Sequence, residues 1–558
     1  MTLDTQQRRQ LIWFFGIAFI VLAAGIGLRD PWPADEPRFV LVARQMWESG
    51  EWLFPHRGRE LYPDKPPLYF WLLGAAYALV RNWTWAFLLP SLLAALGTLA
   101  LSYDLGRRLW SHRAGLWAAT AVLVTAQFLY QAKRAQIDPT VTFFITFGVY
   151  GILRHTLLGP NWRWYWLGCF AAGLGVISKG VGFLALLALL PYAWMRWRQW
   201  PGVTSPGPGH SGRWLLGAAA FLGAIALWFV PMLVTALTSG DPEHRAYLDE
   251  LLFRQTATRY TSAWHHQAPP WYFLGVITGF WLPFSLALPW LLPHWMRAWR
   301  ARDARVWLPL AWALLVLLFF SASPGKRDMY ILPMLPMVAL AAAPYLDEIA
   351  GLKRFRAALL ALVVVLGITF AIAGAMALSS DPRFELKIEA ERGLAASADH
   401  LWWLLCAVGA AMLASVLLLH RYLLRAVGTA LVVLVVGLFT GTALLLDDEN
   451  SARGVMQRAR AMAGPVAEIG LVGWREQNLL QAVGPTTEFG FKRAPAEQFA
   501  DAAAWLHAAP QSRRLFVLDE AIALCARRED RQLVGTANRR QWYLLDATTV
   551  PPECGSDR

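Results

Sequence analysis

The sequence predicts a polytopic α-helical membrane protein that ends in a small soluble α/β domain, and three observations carry that prediction. Of the 558 residues, 56% are hydrophobic and only 16% charged, with 30 Trp and 29 Phe, a balance too apolar and too aromatic for a soluble globular chain. Apolar stretches long enough to cross a ~30 Å hydrocarbon core recur along most of the sequence, about thirteen of them. From Asp447 onward those stretches stop, and residues 447–558 read as alternating helices and strands.

Taken in order, the predicted spans are 11–28, 84–105, 114–130, 138–153, 164–177, 181–194, 214–237, 271–292, 306–320, 329–345, 357–378, 402–420 and 426–446. The first is flanked by Arg8-Arg9 and followed by Arg29-Asp30-Pro31-Trp32 instead of a small-residue cleavage site, so it reads as a retained anchor. Basic residues in short loops stay on the cytoplasmic side of a membrane. Arg107-Arg108, Arg154, Arg196, Arg213, the loop 297–305, Lys353-Arg354, Arg421 and Arg425 fall in alternate loops and define that side. The net charge of +13 is thereby explained as topology, and no nucleic-acid partner is needed. An odd number of spans places the C-terminal domain outside. In that domain a strand is expected over 466–472, an amphipathic helix over 495–508 with its proline in the first turn, and strands over 514–518, 531–534 and 543–545. Cys525 and Cys554 are available to pair in an oxidising compartment, whereas Cys169 and Cys406 sit inside spans as packing residues. A Pro- and Gly-rich tract at 201–209 is a linker.

The outward loops, chiefly 29–81 and 238–270, break the basic-inside pattern. They carry Lys65, Lys133, Arg134, Lys179, Arg254, Arg259, Lys326 and Arg327, interleaved with Asp35, Asp64, Asp138 and Asp328. Ionisable groups near a membrane are expensive, so such a cluster marks chemistry, and its cations suit an anion. Each group has a plainer reading. Asp35 before Pro37 is also a helix cap, Lys65 and Lys179 are also snorkelling anchors, and Asp64-Lys65 is also a surface ion pair. Lys326-Arg327 and Tyr330 follow Ser-Ala-Ser-Pro-Gly, a loop whose backbone amides suit a phosphate. His265-His266 with Asp64 is a candidate site for a divalent metal, Zn or Mg/Mn. The chain has no Walker sequence, no Gly-x-Gly-x-x-Gly after a strand and no His-Glu-x-x-His, which removes nucleotide hydrolysis, dinucleotide chemistry and zinc peptidases.

In this order, the clusters resemble the membrane glycosyltransferases of the class C fold that use polyprenyl-phosphate sugars. Within that class they are most similar to the bacterial 4-amino-4-deoxy-L-arabinose lipid A transferase group, itself related to protein O-mannosyltransferases. The motifs that carry the resemblance are Asp35-Glu36-Pro37-Arg38, Tyr62 to Pro66 with Asp64 where relatives often have Glu, Asp138, Ser178-Lys179-Gly180, Arg259 before an aromatic, His266-x-x-Pro269, and Lys326 with Tyr330. The resemblance implies catalytic roles for Asp35, Glu36 and Asp138, with Asp35 the essential acid. It further implies substrate contacts from Arg38, Tyr62, Lys65, Lys133, Arg134, Lys179, Arg254, Arg259, Lys326, Arg327 and Tyr330. Of these, Lys65, Arg259, Lys326 and Tyr330 would hold the lipid phosphate.

The expected activity is transfer of 4-amino-4-deoxy-L-arabinose from undecaprenyl phosphate to lipid A, on the periplasmic face of the bacterial inner membrane. Its consequence would be resistance to cationic peptides. The alternative is transfer of another sugar to a protein or another glycan. A lipid transporter or flippase is the remote third reading, because it would place ionisable groups near mid-span, whereas here they gather in outward loops.

Overall fold

The computed structural model describes residues 3–204, 207, 209–252, 267–379, 398–522, 525–527 and 529–555. Helices dominate residues 5–463 and a five-stranded sheet the remainder. Among the described residues, seven helices are long and apolar enough to cross a membrane: Trp83–Leu109, Ser211–Thr238, Ala304–Ala322, Asp328–Gly351, Lys353–Ser379, Asp399–Leu418 and His420–Ser451. A bent pair, Tyr272–Phe280 with Phe284–Arg300, makes an eighth when counted as one span. The polytopic architecture stands, but the count of about thirteen does not follow by length and composition.

The difference comes from breaks that hydropathy does not register. The expected span 114–130 is two helices, His112–Val124 and Ala126–Ala132, separated at Thr125, whose backbone is extended. The Ala126 amide freed by that break donates to the Leu282 carbonyl at 2.9 Å, which satisfies it inside the protein. The expected span 271–292 bends by 99° at the segment holding Pro283, which lacks the amide a continuous helix needs. The expected span 181–194 is a 3-10 segment, Gly182–Ala188, running into the helix Leu189–Trp197. Thr5–Ala23, Ile137–Leu157 and Trp162–Lys179 are helical as expected, with charged or polar residues in their end turns.

Helices pack through small residues where backbones approach. A Cβ on Gly151 would lie 2.3 Å from the Trp164 carbonyl oxygen, so only glycine permits the contact between Ile137–Leu157 and Trp162–Lys179. Buried indoles find acceptors: Trp281 donates to Gln127 Oε1 and Trp312 to the Leu184 carbonyl, each at 2.8 Å.

In loop 29–81 a short hairpin, β1 His56–Arg57 and β2 Glu60–Leu61, separates the helices Glu36–Ser49 and Leu68–Val80. The C-terminal sheet comprises β3 Glu468–Val472, β4 Thr486–Glu488, β5 Arg513–Leu518, β6 Gln532–Ala537 and β7 Arg540–Leu545. Its strand order is β4-β3-β5-β7-β6, parallel across β4-β3-β5 and antiparallel beyond. The helix Pro495–Ala508 lies where the sequence predicts it, β4 was not foreseen, and Cys525 and Cys554 are disulfide-bonded. This sheet domain sits on loop 29–81. Glu476 pairs with Arg38 at 2.7 Å and Arg57 at 3.5 Å, Glu488 accepts from the Arg59 amide at 2.8 Å, and Arg44 donates to the Leu480 carbonyl at 3.0 Å.

Candidate active site

Asp35 occupies the cap position of the helix Glu36–Ser49, where Pro37 fixes the first turn, yet its carboxylate makes no capping hydrogen bond. The cap reading of Asp35 therefore fails. Its Oδ2 instead accepts from Gln136 Nε2 at 3.2 Å and lies 3.6 Å from Arg327 Nη2, while Oδ1 lies 3.7 Å from Arg38 Nη1. The two cations neutralise it without occupying its lone pairs at hydrogen-bond distance. Three separate elements meet here: the start of the loop 29–81, the turn before Ile137–Leu157, and the start of the 3-10 segment Asp328–Met334.

Glu36, one residue on, is 1% exposed and fully engaged. Arg29 grips both oxygens at 2.5 and 2.8 Å, and the amides of Trp32 and Ala135 donate at 2.8 and 3.1 Å. The expected catalytic Glu36 is thus a strut joining loop 29–81 to the turn 131–137, because no lone pair faces open space.

Beside the Asp35 cluster, Asp138 in the first turn of Ile137–Leu157 pairs with Lys179 at the end of Trp162–Lys179. Lys179 Nζ lies 5.3 Å from the centre of the Tyr330 ring, which rests against Phe320. Gln136 and Asp138 share one turn and Arg327 and Tyr330 one 3-10 turn, so the two clusters form one surface.

Other expected contacts are placed differently. Lys133 is buried and donates to the carbonyls of Ala24 at 2.9 Å and Leu22 at 3.4 Å, at the end of the helix Thr5–Ala23. A cation belongs at that negative helix terminus. Burial, reinforced by the Arg29 charge, pushes its ammonium down to about 7. Lys326 is likewise buried, bonded to the carbonyls of Ser323 at 2.5 Å and Ala268 at 2.9 Å, and so closes its own loop. Arg134 donates to the Tyr130 hydroxyl at 2.6 Å. Tyr62 is buried against Arg57 and Phe70, and burial together with the Asp64 charge keeps its phenol protonated well above the ordinary range. Of these four, Tyr62 reaches the cluster indirectly, through a hydrogen bond with Arg38, which pairs with Asp35. Lys65 and Asp64 lie half-buried in the same loop. Arg254, Arg259, His265 and His266 lie outside the described residues. Among the described residues no group of three or more His, Cys, Asp or Glu is placed to hold a metal, so the divalent-metal reading has no support.

Two participants were not foreseen. Gln136, 2% exposed, is the hydrogen-bond donor to Asp35, and it sits in the turn that also holds Lys133, Arg134 and Asp138. Glu476 comes from the C-terminal domain and takes the Arg38 guanidinium at 2.7 Å, against 3.7 Å from Arg38 to Asp35. Burial opposes the charge on Arg38, but Glu476 outweighs it and holds the group above its ordinary value.

ArnT from Cupriavidus metallidurans, in a crystal structure bound to undecaprenyl phosphate, superposes with a TM-score of 0.73 over 97% of this chain and 99% of that one, at 21% identity. The chain has the class C glycosyltransferase fold. The archaeal oligosaccharyltransferase AglB from Archaeoglobus fulgidus shares the fold more distantly, with a TM-score of 0.50 over 91% of this chain and 70% of that one, at 11% identity. The resemblance read from the loops holds in sequence as well. The undecaprenyl phosphate-alpha-4-amino-4-deoxy-L-arabinose arabinosyl transferase 1 of Pseudomonas fluorescens is 29% identical over 383 residues. The match covers 66% of this chain and spans 64% of that relative's length. The corresponding transferase of Pseudomonas aeruginosa is 29% identical over 345 residues, 59% of this chain and 58% of its own. The dolichyl-phosphate-mannose-protein mannosyltransferase family matches residues 64–208, a stretch that begins at Asp64-Lys65 and includes Asp138 and Lys179.

Proposed function

We propose that this chain is a lipid-linked-sugar-dependent glycosyltransferase that moves 4-amino-4-deoxy-L-arabinose from undecaprenyl phosphate to a lipid A phosphate, on the periplasmic face of the bacterial inner membrane. The observation that carries the reading is the Asp35 carboxylate, neutralised by Arg38 and Arg327 with lone pairs still open, next to the Asp138, Lys179 and Tyr330 cluster. The names of the similar transferases supply the sugar and the donor.

In this transfer an acceptor phosphate oxygen attacks the anomeric carbon, and the bond from that carbon to the polyprenyl phosphate oxygen breaks. The departing phosphate gains negative charge while the sugar passes through an oxocarbenium-like state. Arg327, Lys179 and Lys65 serve the leaving phosphate, as preorganised cations do where charge develops. Asp35 lies on the side of the developing positive charge and of the sugar's ammonium. A phosphate acceptor is already anionic near pH 7, its second pKa being ~6, so Asp35 orients and stabilises more than it removes a proton. A hydroxyl acceptor would instead require Asp35 as general base. That second reading, transfer of a sugar to protein, is favoured by the mannosyltransferase match over 64–208. The added amine leaves the lipid surface more positive, which lowers its affinity for cationic peptides.

The test is transfer by the purified chain from a polyprenyl-phosphate aminosugar, with lipid A and a Ser/Thr peptide offered together. Labelled lipid A with unlabelled peptide is expected. Labelled peptide would transfer the site to the mannosyltransferase reading, and label on neither would remove the proposed donor.

A further inference from the structure

Away from the Asp35 surface, a cavity of about 690 Å³ runs along one face of the helix His112–Val124. Leu116, Thr120 and Val124 line it at four-residue spacing, a single helical stripe, and Phe284 and Leu359 bound it from other helices. From His112 to Val124 the stripe is about 18 Å long at 1.5 Å per residue, close to one leaflet of a ~30 Å core. The cavity ends where Thr125 breaks the helix, and the helix Ala126–Ala132 lies between it and the turn that carries Gln136 and Asp138. It is therefore separate from the site described above.

The two ends of the cavity differ in character. Val124 and Pro283 close one end, whereas Gln10, His112 and Arg113 line the other. The lining residues Phe355 and Leu424 stand in the first turns of the helices Lys353–Ser379 and Leu423–Ser451, where the exposed cations Arg354 and Arg425 are their neighbours in sequence, with Lys353 opening the first of these helices. Of the acids near this rim, Asp347 is paired with Arg113 at 2.6 Å, and Asp4, whose charge reaches His112, caps the helix Thr5–Ala23 by accepting from the Gln7 amide. Arg354 and Arg425 thus remain as surplus positive charge on the side that the basic loops assign to the cytoplasm. Gly428 also lines the cavity, and a Cβ built there meets no atom within 4 Å.

An apolar slot one leaflet deep with a cationic rim complements one chemistry, an acyl chain below an anionic headgroup. A polyprenyl phosphate donor would carry its phosphate at the opposite face. We propose that this cavity is a binding site for an anionic phospholipid of the cytoplasmic leaflet, with an acyl chain along the Leu116–Thr120–Val124 stripe and the phosphate at the Arg354 and Arg425 rim.

The experiment titrates delipidated full-length protein in detergent with phosphatidylglycerol, phosphatidylcholine or undecaprenyl phosphate, and follows the thermal midpoint. Phosphatidylglycerol is expected to stabilise with an apparent affinity about tenfold or more above phosphatidylcholine, since each basic residue near an anionic headgroup contributes about 1 kcal/mol. Arg354→Ala with Arg425→Ala should abolish that preference, and Gly428→Phe should abolish the response to both phospholipids by filling the slot. Equal responses to the two phospholipids, or a Gly428→Phe protein that responds as the unaltered chain does, would overturn the proposal. An undecaprenyl phosphate response removed by Gly428→Phe would also overturn it, by making the slot part of the donor site. Should Gly428→Phe not fold, the rim pair decides alone, because both residues are exposed and loss of the preference there supports the site.

Discussion

Asp35 and Glu36 are consecutive carboxylates that begin the same helix, and they end in opposite circumstances. Consecutive helical residues point about 100° apart, so the two acids meet different neighbours. Glu36 turns inward, where Arg29 and two backbone amides consume its oxygens. Asp35 turns to the junction of three loops, where two guanidinium groups neutralise it at 3.6 and 3.7 Å and Gln136 supplies a hydrogen bond. A carboxylate balanced at a distance can still bind a substrate, whereas one locked in a fork cannot. The inner acid builds the loop, and the outer acid is left open to a ligand.

Paired substitutions test that division most severely. Asp35→Asn should lower sugar transfer by at least about 10²-fold, with protein abundance and thermal midpoint near those of the unaltered chain. Glu36→Gln should do the reverse. Breaking a buried ion pair costs about 3–5 kcal/mol, so the thermal midpoint should fall clearly while transfer per folded molecule largely survives. A Glu36→Gln protein with normal stability and no transfer would erase the contrast.

A smaller effect is expected across the domain boundary. Glu476 holds Arg38 1.0 Å closer than Asp35 does, 2.7 against 3.7 Å, and so keeps that guanidinium from closing on the outer acid. Glu476→Gln should release Arg38 toward Asp35 and occupy its open lone pairs. Transfer should fall roughly tenfold, the equivalent of one charged hydrogen bond redirected. Removing Arg38 as well, by Arg38→Gln, should bring no further tenfold loss if Glu476 acts only through Arg38. Independent losses in the two variants would give Glu476 another role.

The candidate site was legible in the sequence because membranes make charge placement costly, so Asp35, Arg327, Asp138 and Lys179 stood out against the expected basic-inside pattern. Motif order then linked them to a fold. What stayed hidden was direction. Nothing local distinguishes Lys133, which clamps a helix end, from Lys179, which pairs with Asp138, since both are single lysines at turns between predicted spans. Hydropathy likewise passed over the break at Thr125, because an extended Thr among apolar residues leaves the average unchanged. Glu476 lay beyond reach for a different reason. Its partner Arg38 is 438 residues away, and no spacing along the chain encodes that contact.

Those two lysines extend the comparison from acids to cations, and pH separates them. The unfolded chain keeps a lysine protonated up to ~10.4, whereas burial, with the Arg29 charge, lets folded Lys133 release its proton at about 7. Between those values the unfolded state binds more protons, so folding stability should rise with pH, by up to about 1.4 kcal/mol per unit. Below the folded value both states are protonated, and the burial penalty is present in full. The thermal midpoint of the unaltered protein should therefore climb between pH 7 and 9, and Lys133→Met should flatten that climb while leaving transfer near normal. Lys179→Met should leave the climb intact and reduce transfer, because its ammonium meets Asp138 and the Tyr330 ring instead of two carbonyls. Parallel pH profiles for the unaltered chain and Lys133→Met would mean that Lys133 keeps its proton in the fold, and the inward lysine would then be an ordinary cation at a helix end.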